Sequence, residues 1–327
     1  MKFQSVRLFP KNRGANHYIS SGIARRCDLV IFSDVNDPVI EVRGNRSGSP
    51  STVFLSLRNP FEAICFLYNK VLPQLDKPII LYSGSEDITL PDQTDARWRD
   101  WTAEEKQIIQ SIMDHPMVRY WFAENCTKMI PGKLFPLPTG LVFPDSMDRA
   151  VKTHCPENWD TRPIRAFCGH RTRAGSQWDL RRDVSRMIDN MGQQHIFNSE
   201  VTRTEEEFIE LLQTTAFVLC VEGGGIDPSP KAWLAISLGC IPILRKSSVM
   251  ASYEKLPVAW VDDWTPEQLS VKRLSFWKKT LSWWFLTAVG RDAVSRRLAQ
   301  DYWFFDNPDS VSKRFGRSKT NLKRPSL

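Results

Sequence analysis

A chain of 327 residues exceeds what one hydrophobic core usually organises, so two domains of roughly 150 residues are expected. With 42% hydrophobic and 25% charged residues, 12 Trp and 18 Phe, the composition excludes a disordered protein. The formal net charge of +7 favours an anionic partner, whether a nucleotide diphosphate, an acidic glycan, nucleic acid or a membrane surface, and does not choose among them.

The N-terminal stretch Met1 to Gly14 lacks the apolar run of a signal peptide. The seven cysteines, Cys27, Cys65, Cys126, Cys155, Cys168, Cys220 and Cys240, contain no CxxC pair, so neither a disulfide framework nor a zinc knuckle is expected. A reducing cytoplasmic location follows as the expectation. Short β-branched runs then alternate with amphipathic stretches, the pattern of parallel sheets built from βα units. In the first half the predicted strands are 28–33, 52–56, 78–82 and 119–123, with helices at 60–72 and 103–113. The segment from Leu134 to Trp159 is rich in Pro and polar residues and is expected to be the interdomain linker.

A second βα series follows, with strands at 164–168, 216–220, 241–244 and 258–261. Its helices are expected at 177–190, 204–213 and 231–238, and Thr204 with Glu207 three residues on reads as a capping box. Beyond Trp264 the chain becomes helical and aromatic, through Phe276, Trp277, Trp283, Trp284, Phe285, Tyr302, Trp303 and Phe304. Charged residues within about ten positions on either side of Trp283 and Trp284 rule out a membrane span there, and the aromatics are expected to pack C-terminal helices against the domains. The last fifteen residues carry Lys313, Arg314, Arg317, Lys319, Lys323 and Arg324 without an acid. They read as a frayed basic tail, with a tether to a membrane surface, through peripheral membrane contact, or to nucleic acid as the lesser expectation.

The most informative stretch runs from Phe217 to Leu244, as strand, glycine-rich loop, helix and strand. Gly223, Gly224 and Gly225 would let backbone approach a ligand closely, and the helix that follows offers free N–H groups and its positive dipole end. Ser229 suits the N-cap, Pro230 the first helical position, and Lys231 would project a cation toward the same anion. The loop matches neither GxxxxGK[ST] nor GxGxxG.

Gly239-Cys-Ile-Pro-Ile-Leu244 after a helix bearing Lys231 and Trp233, then Tyr253-Glu-Lys-Leu-Pro-Val258 and Val261-Asp-Asp-Trp264, resembles the exostosin-like glycosyltransferases over Phe217 to Trp264. The resemblance implies a GT-B fold, α/β with two Rossmann-like domains facing a cleft and C-terminal helices packing across. Residues 1–150 would form the acceptor domain, 151–290 the nucleotide-sugar domain, and 291–327 a C-terminal helix and basic tail. It implies a nucleotide-sugar donor, usually UDP-linked, and a glycan acceptor. Where the family often has Arg and, three residues later, a Glu that holds the donor ribose, this chain has Lys231 and Leu234, which leaves Glu222 or Asp227 as substitutes. A non-catalytic nucleotide- or glycan-binding protein of the same fold is the alternative.

Arg171 and Arg173, after the first strand of the second series, are expected to neutralise the β-phosphate of the leaving group, with Arg181 and Arg182 on the next helix. Inverting transfer needs a general base, and Asp87, in the polar loop at the carboxyl end of a predicted strand, is the first choice. Glu86 and Asp34 follow, and Asn16 and His17 are further cleft candidates. His170 is expected to make a local structural hydrogen bond. No Asp-x-Asp triplet occurs, so metal-independent chemistry is expected, with cations and a helix N-terminus in place of a divalent ion. No recognition helix, finger or RNP-like strand points to nucleic acid.

Overall fold

The computed structural model of the protein describes residues 20, 22–44, 48–141, 159–170, 172, 174–192, 195–198, 204–227 and 230–315. Arg171, Arg173 and Ser229, the candidates Asn16 and His17, Cys155 and the tail beyond 315 lie outside the described residues. Six strands form the first sheet: β1 (Leu29–Asp34), β2 (Asp37–Gly44), β3 (Thr52–Ser56), β4 (Ile79–Gly84), β5 (Val118–Ala123) and β6 (Leu134–Pro136). They lie in the order β2-β1-β3-β4-β5-β6, with β2 antiparallel to β1 at one edge and the rest parallel.

Strands β3 and β4 are buried along their whole length, which is why they read as unbroken apolar runs and not as alternating ones. On one face, Ile31, Val53, Leu55 and Leu81 pack against helices α1 (Pro60–Phe66) and α2 (Ala103–Asp114). From β1 onward the parallel strands follow chain order without reversal, so right-handed crossovers put their helices on the same side. The second face, with Val30, Phe32, Phe54, Ile80, Tyr82 and Phe122, therefore needs another cover.

That cover is the C-terminal end of the chain. Helices α3 (Asp179–Met191), α4 (Glu205–Thr214) and α5 (Pro230–Ser237) belong to the second sheet, followed by α6 (Val271–Leu281), α7 (Trp283–Leu286), α8 (Ala288–Leu298), α9 (Gln300–Trp303) and α10 (Pro308–Phe315). Between α9 and α10, Phe304 and Phe305 stack on Tyr82 and Phe122, with ring centroids 5.6 and 5.4 Å apart. The Tyr82 hydroxyl accepts from the Phe305 N–H at 2.8 Å and donates to the Phe305 carbonyl at 3.2 Å. The Tyr120 and Ser312 hydroxyls are 2.6 Å apart. Phe304, Trp303, Trp277 and Phe285 are core, as expected, and the C-terminal helices do pack across onto the first sheet, but Phe276 and Trp283 of the same expected stripe are exposed, because they lie on the outer face of their helices.

The second sheet holds β7 (Ala166–Cys168), β8 (Ile196–Asn198), β9 (Phe217–Leu219), β10 (Ile241–Arg245) and β11 (Ala259–Val261), all parallel, in the order β11-β10-β9-β7-β8. The chain winds one way from β7 to β8 and the other way from β9 to β11, so strand order reverses between β7 and β9. Two α/β sheets are present as expected, and the Thr204–Glu207 capping box forms. Strands β2, β6 and β8 were not foreseen. The expected linker begins too early, since Leu134–Pro136 pairs with β5 and its proline is tolerated because β6 is an edge strand. The first helix is also shorter than expected, because its α-helical hydrogen bonding stops at Phe66 and the chain continues through a π turn over Leu67–Val71.

Candidate functional site

In open parallel sheets the reversal of strand order opens a crevice at the carboxyl ends of the two strands concerned. Here that place lies between Gly169-His170, after β7, and Cys220 to Gly225, after β9, with α3 and α5 leading away. The carboxyl edge of the first sheet meets the same loop. The Asn125 side chain, just beyond β5, accepts the Asp227 N–H at 3.0 Å and donates to the Glu86 carbonyl at 3.2 Å. The Thr139 N–H, beyond β6, reaches the Asp227 carboxylate at 3.0 Å.

The three glycines sit at the junction. A β-carbon on Gly223 would lie 2.7 Å from the Arg181 guanidinium, one on Gly224 would overlap Arg97, and one on Gly225 would lie 2.6 Å from Cγ of Asn125. None of the three adopts a left-handed φ. Backbone conformation therefore does not demand glycine there; the room left by the missing side chains is taken by cationic and amide side chains from both halves, which close directly onto the loop.

Arg97 bonds Asp95 through both Nε and Nη2, the latter at 2.7 Å, and also pairs with Asp87. Burial alone would lower its basicity, but the Asp95 hydrogen bonds and the Asp87 charge prevail and raise it. Glu86 accepts the Asp87 N–H at 2.9 Å, and its carboxyl is pushed above the usual glutamate range, chiefly by burial. Arg181 is buried on α3, donates from Nε to the carbonyls of Val221 and Glu222 at 3.2 and 3.1 Å, and lies over Trp178. Burial lowers its basicity, while the Asp87 charge opposes that.

Lys231, in the first turn of α5, acts electrostatically on His170, Cys168 and Cys220, which places its charge at the strand-order reversal. Burial and that charge lower the His170 pKa to about 3, so the ring is neutral at physiological pH. Its Nε2 lies 2.9 Å from the Arg181 carbonyl, which can only accept, so the proton sits on Nε2. Nδ1 is then the acceptor for the Cys168 thiol 3.1 Å away, a thiol whose pKa burial raises to about 12. His170 is a structural hydrogen-bonding group, not an acid or base for chemistry near neutrality.

The other sequence candidates have defined places. Glu222 accepts from Arg245 Nε at 2.8 Å and from Trp264 Nε1 at 3.1 Å, and Asp227 accepts from Tyr253 OH as well as from Thr139. Both carboxylates are held by protein donors. Asp34 is buried, bonds Arg58 at 2.8 Å and caps the turn at Asn36, which is a structural role. Arg182 pairs with Asp179 on the surface of α3. Sequence reasoning missed Arg97, Glu124 and Asn125. Glu124 is buried and accepts from the Ser85 N–H and the Thr139 hydroxyl, each at 2.7 Å, joining three carboxyl-end loops of the first sheet. The signal for Glu124 and Asn125 was present, since they follow a predicted strand at its carboxyl end as Asp87 does.

No protein-family model matches the sequence, and no curated protein is significantly similar to it. Among solved structures, similarity extends to an α,α-trehalose-phosphate synthase (UDP-forming) from Burkholderia vietnamiensis, at 10% identity over 81% of this chain and 69% of that one, with a TM-score of 0.36. An α,α-trehalose 6-phosphate synthase from Burkholderia multivorans gives 8% identity over 84% and 73%, TM-score 0.39. The spinosyn forosaminyltransferase SpnP gives 9% over 82% and 76%, TM-score 0.33. Likenesses this loose do not assign a substrate or a reaction.

Proposed function

We propose that the protein is a metal-independent glycosyltransferase of the GT-B plan, moving a sugar from a nucleotide-sugar donor, UDP-linked by the exostosin-like resemblance, to a glycan hydroxyl. The observation that carries this reading is the convergence of Arg97 and Asn125 from the first sheet, and Arg181 from the second, on Gly223 to Gly225, with the charge of Lys231 beside His170 and Cys220 at the same strand-order reversal. Cations at a glycine loop beside a strand-order reversal suit a diphosphate. The donor would lie against residues 151–290, with Arg171, Arg173 and Ser229 completing its phosphate contacts, and the acceptor against residues 1–150, in the cytoplasm.

The two acids after β4 divide the work. Glu86, more basic than an ordinary glutamate, takes the proton of the acceptor hydroxyl as its oxygen attacks the anomeric carbon. The bond from that carbon to the phosphate oxygen breaks, the configuration inverts, and the charge gathering on the leaving diphosphate is met by Arg97 and Lys231. Asp87, the first choice from sequence, pairs with Arg97 instead, whose guanidinium Asp95 fixes.

Thermal unfolding with UDP, GDP, CDP or ADP, each with EDTA, tests the donor site. At 100 times the dissociation constant a ligand adds about 2.7 kcal/mol. A shift for one nucleotide, insensitive to EDTA and lost in Lys231→Ala, is expected; no shift with any of the four would sink the assignment. The engaged carboxylates of Glu222 and Asp227, and the packing of Leu234 against the core, favour the second reading, a binder without turnover. Hydrolysis of a bound donor separates the two.

A further inference from the structure

Helices α6 and α7 are nearly one helix, because Ser282 between them keeps helical dihedrals of −57° and −32°. Its inward stripe, Leu274, Trp277 and Phe285, is buried. A second stripe, Lys272, Phe276, Lys279, Trp283 and Leu286, recurs at spacings of four and three residues, so it shares one face, and all five side chains are exposed. Phe276 is 62% exposed, Trp283 46% and Leu286 42%. Gly290 extends the patch: a β-carbon there would lie 2.5 Å from the Trp283 carbonyl, so α8 lies close against α7 and brings Val289, 70% exposed, beside the row.

We propose that this face docks on an anionic lipid bilayer. From Val271 to Leu298 the chain carries seven Lys or Arg against a single acid, Asp292; Lys278 turns inward and Arg297 is buried, while Lys272 and Lys279, exposed on the row itself, complement a surface of anionic headgroups. The interleaving selects a membrane over a protein partner. Lys272 and Lys279 stand within the apolar row, where a protein interface would desolvate them and where lysine is depleted. At a bilayer their stems lie along apolar surface and their ammonium groups reach the headgroups, while Phe276, Trp283 and Leu286 enter the acyl boundary. Lys278 turns inward instead, to the carbonyls of Asp160 and Arg162 at 3.0 and 2.7 Å, which anchors the helix from its other side. The inference is independent of the reaction proposed above.

The test is co-sedimentation of the full chain with vesicles of phosphatidylcholine alone and of an equal mixture with phosphatidylglycerol, for wild type, F276S/W283S and K272E/K279E. Wild type is expected to pellet with the anionic vesicles, less so at high salt, and each double variant to bind about tenfold more weakly or worse, with an unchanged unfolding midpoint. Failure of wild type to pellet overturns the proposal. So do double variants that pellet like wild type, which would move binding to the basic tail, and so does self-association lost in the variants, which would make the face a contact between copies.

Discussion

Space, and not backbone freedom, is what the glycine loop requires, and a double-mutant cycle at Gly225 and Asn125 isolates that requirement. In wild type, Gly225→Ala drives a methyl to within 2.6 Å of Cγ and 2.7 Å of Nδ2 of Asn125, both in a buried setting, and overpacking of this kind costs about 1–3 kcal/mol. Asn125→Gly keeps the left-handed φ of +52° without strain but removes hydrogen bonds to the Asp227 N–H and the Glu86 carbonyl, costing about 2 kcal/mol. With the amide gone, Gly225→Ala meets no wall at that point, and its backbone already accepts alanine. Its cost should fall to about zero, or turn slightly favourable because alanine restricts the unfolded chain. A coupling of roughly 2 kcal/mol is therefore expected between the sites. Urea midpoints of the four proteins, compared at equal slope, measure it. If Gly225→Ala costs the same in both backgrounds, the glycine is there for another reason and the junction is misread.

Glu86→Gln is expected to remove the alkaline-rising limb of the pH–rate profile. A buried acid with a raised pKa favours the folded state most below the ordinary glutamate value of about 4.3 and loses that contribution as pH rises through its raised value, so the same variant should unfold later than wild type at neutral pH, as calorimetry would show. Tyr82→Phe strips both hydrogen bonds from the buried Phe305 backbone and should cost about 2 kcal/mol, lowering the unfolding temperature by several degrees; an unchanged midpoint would mean that the C-terminal cover is held by stacking alone.

The strands flanking the strand-order reversal were legible because each is a local apolar run with turn residues at its ends, and the Thr204 cap because its two partners are three residues apart. What joins the halves was not. Asn125 meets Asp227 across about a hundred positions, and no periodicity encodes such a pairing. Arg97 lies in an irregular stretch with no periodic pattern to single it out, although Asp95 fixes its guanidinium from two nitrogens. The glycines were seen but the side chains that close onto them were not, since a sequence shows missing side chains and not which neighbour lies beside them. Strand β8 is three residues long and too short for alternation to register.

Arg97 holds its two strongest partners unequally, and this asymmetry bears on how it would meet a phosphate. Asp95, whose side chain is fully buried, takes Nε and Nη2 together and so fixes the plane of the guanidinium, whereas Asp87, 39% exposed, takes Nη2 alone. A diphosphate at the glycine loop would then compete with Asp87 while Asp95 kept the fork in place. Asp87→Asn removes the competitor and should tighten UDP about tenfold; Asp95→Asn removes the pivot, lets the side chain wander and should weaken UDP by a similar factor, each a change of about 1.4 kcal/mol in binding. Isothermal titration of both variants decides the matter. Opposite signs support an Arg97 that exchanges Asp87 for phosphate, and equal signs would mean that the two carboxylates act only through the net charge of the cleft.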